Sequence, residues 1–251
     1  MRRIAVVNQK GGVGKTTTAI NLSAALAVAE KRVLLIDVDA QANATSGLGI
    51  DNREPKLSTY EIFMDPERTR EAVQGTSVKY LDIIPASLDL AGLEIELIDS
   101  EAREARLKRA IEGLDSYDYV IMDAPPSLGI LTLNALVAAE GVLIPVQCEY
   151  YSLEGISKLT DTLNRVRQSL NPGLEIFGVL LTMYDPRTNL ADQVAEEVRK
   201  YFSGKVFVTM IPRNVRLAEA PSFGQTILHY DINSRGAQAY LELASEVISR
   251  G

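Results

Sequence analysis

The sequence predicts a doubly wound α/β fold, a mainly parallel sheet with helices on both faces. Three observations predict it. Seven short runs dense in Val, Ile and Leu alternate with segments of helical periodicity, the mark of repeated βαβ units. The runs are continuously apolar rather than alternating, as strands are when both faces of a parallel sheet are covered. The first run passes through a glycine-rich turn directly into an Ala-rich helical segment. A length of 251 residues, with 46% hydrophobic and 24% charged residues, suits one globular domain over 1–251 that buries a sizeable core.

Taken in order, strands are expected at 3–8, 33–38, 80–85, 118–123, 142–147, 176–183 and 206–211. Helices are expected at 15–30, 88–98, 101–113, 129–139, 153–170, 189–202 and 236–249. The last carries Ala237, Tyr240, Leu241, Ala244, Val247 and Ile248 at helical spacing, a stripe for the core. The charge run Arg103–Arg109 reads as a solvated helix face. Residues 51–79 are polar and weakly periodic, and read as an exposed segment with short helices. Pro125-Pro126 should stop the strand that ends at Asp123.

The turn after the first strand reads Asn8-Gln-Lys-Gly-Gly-Val-Gly-Lys-Thr-Thr-Thr18. A glycine loop that opens a helix directs successive backbone N–H groups, and the positive end of the helix dipole, at one point. Gly11, Gly12 and Gly14 are expected to take backbone angles or close approaches that a Cβ would block. Lys15 is placed to reach the β- and γ-phosphates of a nucleoside triphosphate, and the Thr16 hydroxyl to bind Mg²⁺. The strict pattern G-x-x-x-x-G-K-[ST] fails, because Gln9 stands where the first glycine belongs and Lys10 heads the loop instead. Hydrolysis also needs carboxylates at the carboxyl ends of strands, and Asp37, Asp39 and Asp123 qualify. Asp123 is the candidate to hold Mg²⁺, through water, with a helix N-cap as the plainer alternative.

Other residue types narrow the class. One cysteine, Cys148, excludes an intramolecular disulfide and reads as a small buried hydrophobe. A lone histidine, His229, has no second histidine to complete a base or metal set, and is expected on the surface of a polar loop. No apolar run is long enough for a transmembrane helix, and the start of the chain does not read as a signal peptide. A net charge of −7 argues against a generally basic nucleic-acid footprint. Any DNA contact must come from a local cluster, or from one made by assembly.

The loop Lys10-Gly-Gly-Val-Gly-Lys-Thr-Thr17 resembles that of the ParA/Soj/MinD ATPases, the deviant Walker-A branch of the P-loop NTPases. Leu34–Asp39 followed by Gln41 and Asn43–Gly47 resembles the family's second motif, and Asp123–Gly129 its third. Val146–Tyr151 and Ile211–Leu217 resemble the Soj-type chromosome-partitioning ATPases in particular. Ala40 and Ala42 depart from the pattern, standing where Pro and Gly are expected, which should alter the stiffness of that loop rather than its chemistry.

The resemblance implies an ATP- and Mg²⁺-dependent ATPase that switches between a monomer and an ATP-bound sandwich dimer. It implies that the dimer binds DNA non-specifically, that a ParB-like partner stimulates hydrolysis and release, and that the protein is cytoplasmic and nucleoid-associated. It gives Asp39 the attacking water; Asp37 is the weaker candidate and reads as a structural or supporting carboxylate. It sends Lys10 across the dimer to the partner's nucleotide, which is arginine-finger logic with a lysine. It places adenine against Met183 and the Pro212-Arg213-Asn214 turn, and DNA phosphates against Arg187 and Arg216. A MinD-like switch that positions cell-division or other cargo is the alternative, but Ser245–Gly251 is too short and too mixed in charge for a basic amphipathic membrane helix. An iron-protein electron carrier would need more cysteines than one, and a small-molecule ligase would need a substrate pocket that no pattern here announces.

Overall fold

The computed structural model describes residues 1–51, 57–98, 100–150 and 152–251. Its eight strands are β1 (Arg2–Val6), β2 (Val33–Asp37), β3 (Gln74–Gly75), β4 (Leu81–Ile84), β5 (Tyr119–Asp123), β6 (Gly141–Gln147), β7 (Glu175–Tyr184) and β8 (Val206–Pro212). They form one sheet in the order β3-β4-β2-β5-β1-β6-β7-β8. Every pairing is parallel except β3 with β4. The strand order reverses direction around β1, and this topological switch point is where open α/β sheets bind their ligands.

The helices are α1 (Lys15–Val28), α2 (Asn43–Gly47), α3 (Thr59–Met64), α4 (Thr69–Ala72), α5 (Leu93–Glu96), α6 (Arg106–Ala110), α7 (Ile130–Ala138), α8 (Ser152–Ser169), α9 (Asn189–Tyr201), α10 (Val215–Glu219), α11 (Ile227–Tyr230) and α12 (Arg235–Arg250). The strands divide their side chains between two cores by simple alternation. Ala5, Leu34, Ile36, Val120, Met122, Val142 and Ile144 face the core that holds α7, α8 and α9. Ile4, Val6, Val33, Leu35, Ile121 and Leu143 face the other, which holds α1 and α12. Both faces are therefore covered, and the strands read as unbroken apolar runs. At Gly178 on β7 a Cβ would come within 2.2 Å of the Phe207 ring, so this approach of two strands requires glycine.

Several expected elements differ. The helix expected at 88–98 is a 3₁₀ turn (Leu88–Ala91) and the single turn α5, divided at Gly92. The helix expected at 101–113 is a 3₁₀ turn (Arg103–Ala105) followed by α6, which ends before Gly113 in the left-handed region. Its charge run is only partly a solvated face, because Leu107 and Ala110 are buried. β3, α2, α10 and α11 carry no readable period, being two to five residues long. His229 lies exposed on α11 rather than in a loop. Within 51–79 the short helices α3 and α4 appear as expected, but the segment is not simply exposed: Leu57, Ile62, Phe63 and Ala72 pack into the core; residues 52–56 lie outside the described residues. Cys148 is buried, and burial pushes its thiol up to about 11, away from nucleophilic use.

Candidate nucleotide and nucleic-acid site

The loop between β1 and α1 is anchored at both ends by side chains. The Asn8 amide donates to the Pro145 carbonyl at 2.7 Å, and its oxygen accepts from the Lys10 backbone N–H at 3.0 Å. The Thr182 hydroxyl, on β7, donates to the Val13 carbonyl at 2.9 Å. Neither anchor was singled out from sequence; each is one polar residue whose partner is remote in the chain. Gly12 (φ 74°) and Gly14 (φ 88°) occupy the left-handed region. Gly11 differs from the expectation: its φ is ordinary, and a Cβ there would meet nothing within 4 Å. Gly14 caps α1, and no acidic residue lies in the first turn of that helix, so its positive end is left for an anion.

Lys15 is buried, with its Nζ donating to the Lys10 carbonyl at 3.1 Å. Burial lowers its pKa, and Asp123 and Asp39 oppose that shift. The parallel register sets Asp123 beside both Val6 and Asp37, at the carboxyl ends of β5, β1 and β2. Asp37 is fully buried and saturated. Its Oδ2 accepts from the Thr45 N–H (2.9 Å) and hydroxyl (2.7 Å), and its Oδ1 from the Asp39 N–H (3.2 Å). Burial still raises its pKa to about 6, against the pull of the Thr45 bonds. Asp37 thus ties α2 to the strand end.

Asp123 is different. Both of its oxygens are buried, and neither has a hydrogen-bond partner of ordinary geometry among the described residues. Burial, and next the charge of Asp37, raise its pKa well above the carboxylate range; the Thr16 hydroxyl works against that rise. An unpartnered buried carboxylate is costly, and a cation is the usual remedy. Among the described residues no three His, Cys, Asp or Glu side chains converge on a metal position. The Asp123 carboxylate with the Thr16 hydroxyl beside it fits Mg²⁺, which keeps most of its shell as water and phosphate oxygen and takes one or two protein oxygens.

A family model described as an AAA domain matches residues 1–176. The chain is 57% identical over 249 residues to the sporulation initiation inhibitor protein Soj of Bacillus subtilis, covering 99% of this chain and 98% of that one. It is 54% identical over 250 residues to the chromosome partitioning protein ParA of Myxococcus xanthus, covering 99% and 88%. The chain belongs to the ParA/Soj family of chromosome-partitioning ATPases. Its fold matches that of Mycobacterium smegmatis cobyrinic acid a,c-diamide synthase with bound ADP and magnesium (TM-score 0.86, 38% identity, 99% and 94% coverage). It also matches the Pyrococcus furiosus cell division ATPase MinD (TM-score 0.83, 27% identity, 100% and 99% coverage).

Against that ParA-type frame, the loop after β2 carries the chain's own departure. The Asp39 carboxylate accepts from the Gln41 N–H at 3.0 Å, and the Ala42 N–H donates to the Asp39 carbonyl at 2.8 Å. Ala42, where the ParA pattern leads one to expect glycine, is buried and left-handed (φ 51°, ψ 36°) and caps α2. An L-residue pays about 1–2 kcal/mol for that conformation.

Beside Gly14 and Thr17 lies a mostly apolar cavity of about 320 Å³. Met183, Pro212, Arg213 and Asn214 line it, so the structure brings together the four residues expected around a base. Tyr240 also lines it, while its hydroxyl pairs with that of Thr18 at 3.2 Å. From sequence Tyr240 read only as core, because a stripe at helical spacing does not reveal which member looks into a cavity.

The two arginines expected to meet DNA lie beyond this cavity, after β7 and β8. Arg187 is 84% exposed and binds Asp185 with two bonds, Nε to Oδ1 at 2.9 Å and Nη2 to Oδ2 at 2.7 Å. Arg216, 55% exposed, donates from Nη1 to Glu219 at 2.9 Å, with Asp231 3.7 Å from its Nε. Sequence reading named the arginines and missed their carboxylates.

Proposed function

We propose that this chain is an ATP-driven switch in DNA partitioning, one ATPase domain over residues 1–251. The observation that carries the reading is the buried Asp123 carboxylate at the switch point, without a hydrogen-bond partner of ordinary geometry among the described residues, on one side of a glycine loop with a buried lysine, with an apolar base-sized cavity against that loop. The loop N–H groups of Lys10–Thr17 and the Lys15 ammonium bind the triphosphate, and Met183 with Pro212–Asn214 take the adenine. Thr16 and Asp123 would hold Mg²⁺, which when bound neutralises phosphate charge. Asp39, on its tight turn after β2, orients the attacking water, and Asp37 holds that turn to α2.

Lys10 reaches the nucleotide of a second copy, so the site is complete only in an ATP-bound dimer. That dimer doubles Arg187 and Arg216 into a phosphate-binding stripe that binds DNA without regard to sequence. A ParB-like protein stimulates hydrolysis, which dissolves the stripe and releases the DNA. Among the described residues no helix is long and apolar enough to cross a membrane.

Size-exclusion chromatography with light scattering tests the reading. With ATP, Asp39→Ala accumulates as a dimer and turns over at least about tenfold more slowly than the parent, because a water-orienting carboxylate is dispensable for ground-state binding. Lys10→Ala binds ATP yet stays monomeric. Normal turnover by the first variant, or normal dimerisation by the second, contradicts the assignment.

A further inference from the structure

The arginine-bearing rim is not basic. Asp185 faces the Arg187 guanidinium with both oxygens, and also accepts from the Arg187 backbone N–H at 3.1 Å, so the turn itself holds the carboxylate in place. Glu219 takes one N–H from Arg216 and the Tyr230 hydroxyl at 3.1 Å. The Tyr230 ring lies 6.0 Å from the Arg216 guanidinium. Arg213, next to both, is paired with Glu149 at 3.1 Å. Asp185, Glu149, Glu219 and Asp231 thus outnumber the three arginines on this face.

Resting on the reading of this rim as the DNA site, we propose that Asp185 and Glu219 are built-in competitors for the DNA phosphate. They occupy guanidinium edges that phosphate would use, and so hold a single chain in a weakly binding state. Carboxylate and phosphate offer a guanidinium the same pair of oxygens, so one displaces the other directly. Exposed ion pairs are weak, so the exchange is easy once a second copy adds its own arginines. Without that copy, Arg187, Arg213 and Arg216 face four carboxylates, on a chain of net charge −7.

Arg187 holds the Asp185 carboxyl down to about 2, so the competitor stays charged at every physiological pH and is displaced only by another anion. Each arginine that moves to a phosphate leaves behind a carboxylate that takes up a cation. Four bare phosphate contacts in a dimer would give a log–log salt slope of roughly −3.6, at about −0.9 each. The parent's slope should be shallower.

Filter binding to a random-sequence duplex across a salt series tests this with Asp185→Asn, Glu219→Gln and the double variant. The carboxamides keep the acceptor oxygens for the Arg187 N–H and the Tyr230 hydroxyl, so the turns persist. With ATP, each single change tightens binding about fivefold and the double on the order of twentyfold. The slope steepens toward −3.6, and the double variant also binds with ADP. Structural damage would weaken binding and does not mimic this gain. Carboxamide variants that bind no tighter than the parent overturn the proposal. Arg187→Ala and Arg216→Ala in the same assay separate the two levels. Their loss of binding upholds the DNA site even where the competitors fail, whereas parent-like binding by both removes the DNA site and the proposal with it.

Discussion

Two regions at the carboxyl end of the same sheet hold charge under opposite conditions. Around the switch point, Lys15, Asp37 and Asp123 are buried, burial moves each pKa toward the neutral form, and Asp123 has no hydrogen-bond partner of ordinary geometry among the described residues. At the rim, Arg187 and Arg216 are exposed and each is already matched by carboxylates. The first region carries an electrostatic cost that a ligand relieves. The second carries almost none, so a ligand there must compete for its arginines. A nucleotide with its metal suits the first, and a polyanion gathered by a dimer suits the second.

The largest effect that would break this comparison lies at Lys15. Lys15→Ala removes the one buried cation of the loop and should weaken ATP binding more than about a hundredfold in a nucleotide titration. Affinity equal to the parent's would show that the buried region is not the phosphate site.

A smaller effect sharpens it. In protein free of nucleotide and metal, a carboxyl whose folded pKa lies above its unfolded value of about 4 binds its proton more tightly in the folded state. Stability should therefore fall as pH rises from about 4 through the folded pKa, which for Asp37 is about 6. Asp123→Asn cannot ionise and escapes its share of that loss. Its Tm should exceed the parent's by about 5 °C at pH 8 and converge on it near pH 4. A constant difference at all pH values would mean that the Asp123 charge costs nothing.

The smallest effect concerns the turn between Asp39 and α2. Ala42→Gly relieves a left-handed alanine and should add about 1 kcal/mol of stability, or about 2–4 °C in Tm. No gain in thermal unfolding would mean that the burial of the Ala42 methyl already offsets its backbone strain.

How much of this was legible in the sequence depended on the range of the interaction. The main strands and long helices were readable because two-sided burial writes unbroken Val/Ile/Leu runs and 3.6-residue stripes. The glycine loop that opens α1 was readable because its glycines, Lys15 and Thr16 are contiguous, and the placement of Asp37 and Asp123 at strand ends because they close apolar runs. β3, α2 and α11 were not, since two to five residues cannot display a period. Asn8 and Thr182 as loop anchors, Tyr240 as a cavity wall and Asp185 and Glu219 as partners of the arginines were not either. Each depends on which way one side chain turns in the folded chain, and neither propensity nor spacing records that. The left-handed Ala42 falls between: its departure from the motif was visible, and its backbone angle was not.

On the proposed function, nucleotide state controls the rim. Co-sedimentation with random-sequence DNA in the presence of ATP, of ADP and of no nucleotide tests it most directly. Pelleting is expected with ATP alone, reduced alike for every DNA sequence by Arg187→Ala or Arg216→Ala. Equal pelleting in all three conditions, or ATP-dependent pelleting that neither substitution weakens, would contradict it.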